Sequence, residues 1–320
     1  MENRTSGPVS WRPDAERAIT VDRPVPLVAT LSVVRRGAGD PTWRADGRAA
    51  LWKAWRTPQG PVTAHLAQDG PAGVVRAQAW GPGAQWLLDG LAELVGEGDD
   101  DAGFDPVHAP LVAVRRRYAG WRVPRTRLVV ESLVPGIIEQ RVTGAEAFAA
   151  YRQLVRRFGA PAPGPGAELG LLVAPDAAGW AAIPSWEWLR AGVDAQRADT
   201  VMRAVRRAGR LEGLIDRVPA QAREALRVIP RVGVWTAAEV AHVAFGDADA
   251  VSFGDYHVAR NIGWALVGVE LDDAGLADLL TPYAGHRYRV QRLLELAGAA
   301  RPRHGARMSV PTHLPGRAAR

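Results

Sequence analysis

The sequence has no cysteine and a single lysine, and both shortages restrict the chemistry open to the protein. Without cysteine among its 320 residues, the chain cannot form disulfides, thiolate nucleophiles, or cysteine-ligated zinc or iron–sulfur sites. Lys53 is the only lysine among the 40 Lys and Arg residues. Arginine stays protonated and is a poor nucleophile, so a mechanism that needs a side-chain amine has only one candidate.

Long apolar stretches are missing as well. The sequence has no run of 18 apolar residues, and its start, Met1-Glu2-Asn3-Arg4, lacks the apolar segment of a secretion signal. These features predict a cytoplasmic protein with no membrane partner. With 47% hydrophobic residues, the chain can build a sizeable core, and its length is enough for two domains. The net charge of +6 favours a polyanion as partner, although charge alone does not identify one.

Residues 222–244 predict two helices joined by a tight turn. Pro230 ends the first helix because proline lacks the N–H that a helix interior requires, and Gly233 gives the turn a position without Cβ. The second helix begins near Trp235, and its first N–H groups have no partner within the helix. Such a helix start can bind phosphate through the backbone. The alternative is a helix-turn-helix that serves packing alone.

The same stretch resembles the helix-hairpin-helix DNA glycosylases, and within them most closely the alkylpurine (3-methyladenine II) branch. Ile229-Pro230-Arg231-Val232-Gly233-Val234-Trp235-Thr236-Ala237 matches the Pro-Gly-x-Gly-x-Trp-Thr-Ala segment of that branch, except that Arg231 replaces the first glycine. Twenty residues after Trp235, Gly254-Asp255-Tyr256 matches the segment that carries the catalytic aspartate. The resemblance implies an α+β fold, in which a small antiparallel β-sheet domain precedes an all-α helix-hairpin-helix glycosylase domain.

The strand and helix patterns are consistent with that organisation. Asp46-Gly47 and Asp69-Gly70 are hairpin signals between short strand-like segments, whereas helical spacing dominates from Pro110 onward. The acidic run Asp99-Asp100-Asp101 lies in a glycine-rich linker and is typical of solvated residues rather than of a metal site. The predicted parts are a flexible start (1–18), an α+β domain (19–103), a helical domain (104–300) with the hairpin at 222–244, and a basic, disordered tail (301–320).

The resemblance also implies roles for single residues. Asp255 is the implied catalytic aspartate, which would stabilise the oxocarbenium ion or activate water as the base leaves. Trp235 and Tyr256 are the implied base-pocket aromatics. The implied DNA contacts are Arg231, Val232, Gly233, Thr236, Gln140 and Arg141, with the last two as candidates for the residue that wedges into the duplex. A structural Na⁺ or K⁺ on the main-chain carbonyls of Ile229 and Val232 is also implied, and no other cofactor is expected.

Several residues depart from the pattern of the branch. Trp235 stands where bifunctional members of the superfamily carry a lysine nucleophile, so no lyase activity built on a side-chain amine is expected. Glu239 and Arg292 stand where two pocket aromatics are found, which makes the pocket more polar. Asp247, Asp249 and Glu239 are alternatives to Asp255 as the catalytic acid.

The resemblance therefore predicts a DNA-3-methyladenine glycosylase II-like hydrolase. It would act as a monomer on double-stranded DNA of the bacterial nucleoid, flip an alkylated purine out of the stack and hydrolyse its N-glycosidic bond in base excision repair. The alternative is a catalytically weak protein that binds damaged DNA without excising the base.

Overall fold

The computed structural model describes residues 11–69 and 73–302. A five-stranded antiparallel sheet in the order β1-β5-β4-β3-β2 forms the first part of the chain. Strands β3 and β4 form its central hairpin, which pairs Thr57 with Gly60 across a two-residue turn. The strands are β1 (Ala15–Thr20), β2 (Trp43–Asp46), β3 (Ala50–Thr57), β4 (Gly60–Asp69) and β5 (Val74–Trp80).

Three short helices cover this sheet and enclose an apolar core. The helices are α1 (Leu27–Thr30), which continues as a 3-10 turn to Val34, α2 (Ala84–Asp89) and α3 (Leu91–Leu94). Alternate residues of the strands point into this core, where Leu51, Trp55 and Leu66 are buried against Leu88. Burial of this apolar face holds the first domain together.

The remainder of the described chain is mainly helical. Two short strands, β6 (Ala160–Pro161) and β7 (Leu172–Val173), pair with each other. The helices are α4 (Ala109–Arg117), α5 (Val129–Ile138), α6 (Gly144–Phe158), α7 (Pro165–Glu168), α8 (Ala177–Ala181), α9 (Ser185–Arg190), α10 (Ala195–Val205), α11 (Ala208–Glu212), α12 (Pro219–Leu226), α13 (Val234–Val240), α14 (Val258–Val267), α15 (Asp273–Leu279) and α16 (Arg287–Leu296). The α+β class is confirmed.

Helix α5 is the centre of the helical part. Because it is apolar on nearly every side, it is buried by neighbours all round rather than lying on a surface. Helix α13 packs against α5 at Gly136, where a Cβ would make ordinary van der Waals contacts of 3.7 Å with Cγ2 of Thr236 and 4.0 Å with Cβ of Glu239. The end of α5 is thereby fixed against the helix that follows the hairpin.

Two predictions about the ends of the first domain are wrong. Residues 15–18 belong to β1 rather than to a flexible start, because their backbone pairs with β5 from Ala15 opposite Ala79. The acidic run is only partly solvated: Asp100 is exposed, but the buried side chain of Asp99 accepts hydrogen bonds of 2.7 and 2.6 Å from Arg289, and Asp101 pairs with Arg23 and Arg115. These ion pairs attach the linker to the helical part.

The predicted ends of the chain lie mostly outside the described residues, which exclude 1–10 and 303–320. Arg301, at the start of the predicted tail, is described and pairs with Glu270 at 2.7 Å. Among the described residues, no helix combines the length and apolar character that crossing a bilayer requires.

Candidate active site and DNA interface

The predicted hairpin is formed by α12 and α13, with a turn over residues 227–233. The Val232 N–H donates to the Ile229 carbonyl at 3.0 Å and closes the turn. Arg231 has φ of 70°, a left-handed conformation that is strained by roughly 1–3 kcal/mol for a residue other than glycine. The arginine thus adopts the backbone geometry suited to glycine, so the departure from the family pattern leaves the turn intact.

Gln140 braces this turn from the end of α5. Its Nε2 donates to the Arg231 carbonyl at 3.1 Å and to Oγ1 of Thr236 at 2.8 Å. Arg141 follows in a left-handed conformation with φ of 56° and is exposed. Gln140 and Arg141 are the two candidates for the residue that inserts into the duplex. Of these, Gln140 is hydrogen-bonded to the hairpin, whereas Arg141 faces solvent. The cation predicted at Ile229 and Val232 stays a prediction.

The side chain of Arg231 turns toward α10. Its Nη1 lies 2.8 Å from Oδ2 of Asp199, and Arg203 pairs with the same carboxylate at 2.8 Å. The two guanidinium groups lower the pKa of Asp199 by hydrogen bonding to it. Because these groups are nearly half exposed, they remain on the hairpin surface, where DNA contact stays a prediction.

Asp255 lies directly beside Trp235. Nε1 of Trp235 donates to Oδ2 of Asp255 at 3.2 Å. The backbone N–H groups of His257 and Val258, at the start of α14, donate to Oδ1 at 2.7 and 3.1 Å. Three donors therefore fix a half-exposed carboxylate at the point where the hairpin helix meets the next helix.

Glu239 lies one turn farther along α13, on the same face as Trp235. Oγ of Ser252 donates to its Oε1 at 2.6 Å. Burial raises the pKa of Glu239 to about 8, and the neighbouring carboxyl of Glu139 adds to the rise, as does Asp255 to a smaller extent. At neutral pH Glu239 is therefore mainly a neutral acid, within electrostatic reach of Asp255.

Charged residues from three other elements complete this region, which we call the polar cluster (Arg36, Glu139, Glu239, Ser252 and Arg292). Nε of Arg36, from the first domain, lies 3.3 Å from Oε1 of Glu139. Burial nevertheless raises the pKa of Glu139. Arg292 on α16 donates to Oγ of Ser32 at 2.7 Å and pairs with Glu295 at 2.9 Å. The polar cluster thus joins both domains next to Asp255.

The wall behind Glu239 is built from neutral groups. His242 and Tyr288 stack in parallel with ring centroids 4.1 Å apart. Burial and the charge of Arg292 lower the pKa of His242 to about 3, so its imidazole is neutral near pH 7. Gln291 donates to Oγ of Ser252 at 3.1 Å and accepts from the Ser252 N–H at 3.1 Å. These contacts fix the hydroxyl that holds Glu239.

Tyr256 lies apart from this region. Its side chain is 64% exposed, and the guanidinium of Arg260 sits 4.1 Å from its ring centroid. Of the two predicted pocket aromatics, Trp235 contacts Asp255 and Tyr256 lies on the surface beside Arg260. Asp247 and Asp249, the other candidate acids, form ion pairs with Arg223 and Arg287 and so connect structural elements.

The prediction missed Arg36, Glu139 and Ser252 as parts of the site. Glu139 directly precedes Gln140, so its place at the end of α5 was a usable signal. Arg36 carries no such signal, because it meets Glu139 across about a hundred residues of sequence.

In this architecture the hairpin leads into a Trp235–Asp255 pair. Comparison with protein-family models and with curated proteins gives no match. Among solved structures, the 3-methyladenine DNA-glycosylase from Archaeoglobus fulgidus is similar with a TM-score of 0.71 and 16% identity, over 88% of this chain and 98% of that one. The resemblance inferred from the sequence is confirmed at the level of the fold.

Two further structures share the fold. MBOgg1, solved in complex with a low-affinity DNA ligand, gives a TM-score of 0.65 at 15% identity over 91% of this chain and 98% of its own. The 8-oxoguanine glycosylase/lyase of Clostridium acetobutylicum, in its apo form, gives 0.64 at 12% identity over 89% and 99% of the two chains. Because one fold thus carries different base specificities, the base has to be inferred from the site of this chain.

Proposed function

We propose that the protein is a monofunctional DNA glycosylase that removes alkylated purines from double-stranded DNA by hydrolysis. The observation that supports this most is the contact between Trp235 and Asp255, directly after a hairpin suited to phosphate. The proposed enzyme works as a monomer on cytoplasmic, nucleoid DNA. Its hairpin turn and the exposed Arg141 hold the duplex while the damaged base leaves the stack.

Asp255 carries the proposed chemistry. Its carboxylate stabilises the positive charge that develops on the sugar as the C1′–N bond breaks, or it takes a proton from the attacking water. The indole N–H of Trp235 and the two backbone N–H groups orient the carboxylate toward the sugar. Hydrolysis leaves an abasic site and an uncleaved strand.

Lys53 supports the monofunctional part of the proposal. It lies on β3 with only 2% of its surface exposed, and its Nζ donates to Oγ1 of Thr42 at 2.5 Å. Burial lowers the pKa of its amine. An amine enclosed in the sheet domain cannot reach the sugar beside Asp255, and Trp235 occupies the position at which a lysine nucleophile is expected.

The test is excision from a duplex oligonucleotide that carries one alkylated purine. We expect release of the base and strand cleavage only after alkali, with no covalent adduct trapped by borohydride. A trapped adduct would overturn the monofunctional mechanism, and its loss in Lys53→Arg would identify the amine. Tight binding to damaged DNA without release of any base would instead support the alternative, a catalytically weak damage-binding protein, which the departures at Glu239 and Arg292 favour.

A further inference from the structure

Trp235 and Glu239 face the same short loop, residues 252–255, from one helix. Trp235 holds Asp255 and Glu239 holds Ser252, so two residues four apart on α13 bind two residues three apart in the loop. Asp255 in turn influences the ionisation of Glu239, which places the two carboxyl groups in one electrostatic environment. A base released beside Asp255 therefore leaves in the neighbourhood of Glu239.

One oxygen of Glu239, Oε2, has no hydrogen-bond partner in the part of the chain that the structure describes. Oε1 accepts from Ser252, whereas Oε2 lies 3.6 Å from Nε2 of His242, which is beyond hydrogen-bond distance. No hydrogen bond to Oε2 occurs among the described residues. The side chain of Glu239 is 24% exposed, so this oxygen is accessible to a ligand.

The surroundings suit an uncharged base better than a cationic one. The charges of Glu139 and Glu295 are matched by Arg36 and Arg292. The ring of Tyr288 is stacked against His242, and Tyr256 lies on the surface, so neither presents an open π face to a cation here. Besides the indole of Trp235, which donates to Asp255, this region contains a neutral carboxylic acid and the guanidinium groups of the polar cluster.

We propose that Glu239 is a general acid that gives its proton to a ring nitrogen of an uncharged alkylated purine as the glycosidic bond breaks. The inference rests on the glycosylase function proposed above. The proton moves from Oε2 to the base, and the electron pair of the C1′–N bond goes with the base, which departs neutral. Water then adds to C1′ with the help of Asp255, and solvent restores the proton of Glu239. A cationic alkylated purine needs no such proton because it already departs as a neutral base.

The pH dependence follows from the groups that face Glu239. These are Glu139 on α5, Asp255 in the loop, Arg292, Glu295 and Tyr288 on α16, His242 after α13, and Arg36 from the first domain. Burial and the charge of Glu139 raise the pKa of Glu239 to about 8, the hydrogen bond from Ser252 lowers it, and Glu295 and Asp255 add smaller rises. The acid is protonated below that pH, so excision of an uncharged purine should be level below pH 8 and fall about tenfold per pH unit above it.

The experiment compares two lesions in single-turnover excision. The uncharged probe is 1,N⁶-ethenoadenine in a duplex across pH 6–9.5, and the cationic probe is 7-methylguanine at pH 6.5. Glu239→Gln should slow excision of ethenoadenine by about 10²-fold and abolish the fall above pH 8. Excision of 7-methylguanine should change less than about threefold. Glu168→Gln, an exposed carboxyl on α7, is the matched control and should change neither rate.

A second variant tests the proposal even if Glu239→Gln does not fold. Ser252→Ala removes a donor that favours the ionised form of Glu239, so the pKa should rise and the break in the ethenoadenine profile should move above pH 8. Thermal melting adds a measurement without substrate. Because the folded pKa exceeds the ordinary value of 4.5, the stability contributed by neutral Glu239 is lost as pH rises toward 8. Glu239→Gln should therefore gain in Tm relative to the wild type between pH 6 and pH 9.

The possible outcomes separate the two proposals. If Glu239→Gln slows excision of both lesions equally, Glu239 has a structural role. If it slows excision of 7-methylguanine alone, Glu239 is a carboxylate that binds the cationic base. Either result overturns the proposal that Glu239 is a general acid. Wild-type excision of 7-methylguanine without ethenoadenine would also overturn it while leaving the glycosylase proposal standing. Excision of neither lesion would count against the proposed function itself.

Discussion

The two ends of the Trp235–Glu239 segment of α13 place their carboxyl groups, Asp255 and Glu239, in opposite environments. At the loop end, Asp255 receives three N–H donors and stays half exposed, an arrangement that suits a negative carboxylate. At the inner end, Glu239 receives one hydroxyl, is largely buried and has other carboxyls nearby, so it keeps its proton near pH 7. Neighbouring carboxyl groups in such different surroundings can divide an acid role and an anionic role between them.

Asp255→Asn should produce the largest effect. The amide removes the negative charge beside the sugar, so excision of both charged and uncharged lesions should fall by roughly 10²–10³-fold. DNA affinity should stay within about twofold, because the hairpin contacts are untouched. Single-turnover rates and equilibrium binding measure the two quantities, with Asp278→Asn on α15 as an exposed control. Unchanged excision by Asp255→Asn would remove this residue from the mechanism.

Trp235→Phe should have an intermediate effect. The change keeps an aromatic ring but removes the N–H that donates to Oδ2 of Asp255 at 3.2 Å. A hydrogen bond to a charged group contributes about 1.5–3 kcal/mol, so the single-turnover rate should fall on the order of tenfold or more while the Kd for DNA changes little. Trp264→Phe on α14 is the matched control. If Kd rises and the rate at saturation is preserved, Trp235 contacts the base rather than positioning Asp255.

Arg231→Gly should affect the chemistry least, because Arg231 contacts neither carboxyl. Binding to DNA should lose about one unit of its salt slope if Arg231 leaves Asp199 for a phosphate in the complex. Its ion pair with Asp199 is exposed and contributes little to stability, and glycine relieves the left-handed strain, so Tm should not fall. Arg203→Gln removes the other partner of Asp199 and should leave the slope unchanged. If the salt dependence of DNA binding is unchanged in Arg231→Gly, Arg231 does not contact phosphate and only pairs with Asp199 on α10.

The predictable parts of the site depend on local sequence. The hairpin, Trp235 and Asp255 could be identified together because a turn, a helix start and a loop follow one another within about thirty residues. The helical spacing from Pro110 onward also predicted the helical part of the chain, which includes α5 (Val129–Ile138). In both cases the pattern that identifies the element lies within a short stretch of sequence.

The parts that could not be predicted depend on distant partners. The acidic run is typical of solvent-facing residues, yet the side chain of Asp99 is buried because Arg289, 190 residues later, donates two hydrogen bonds to it. Strand β1 reads as polar because it lies at the edge of the sheet and forms through backbone pairing with β5 rather than through burial. The proton held by Glu239 likewise depends on Glu139 and on burial beneath other elements, which residue type alone does not reveal.

Because Lys53 is buried, its reactivity can report transient opening of the sheet domain. Lys53 is the only side-chain amine of the sequence, and it is held inside the domain by Thr42, which in turn donates to Asp40 at 2.8 Å. An amine-directed label can modify that side chain only while the domain is transiently open. The rate at which the mass of the Lys53 peptide increases therefore measures how often this domain opens. The arginines do not interfere, because the reagent does not react with them.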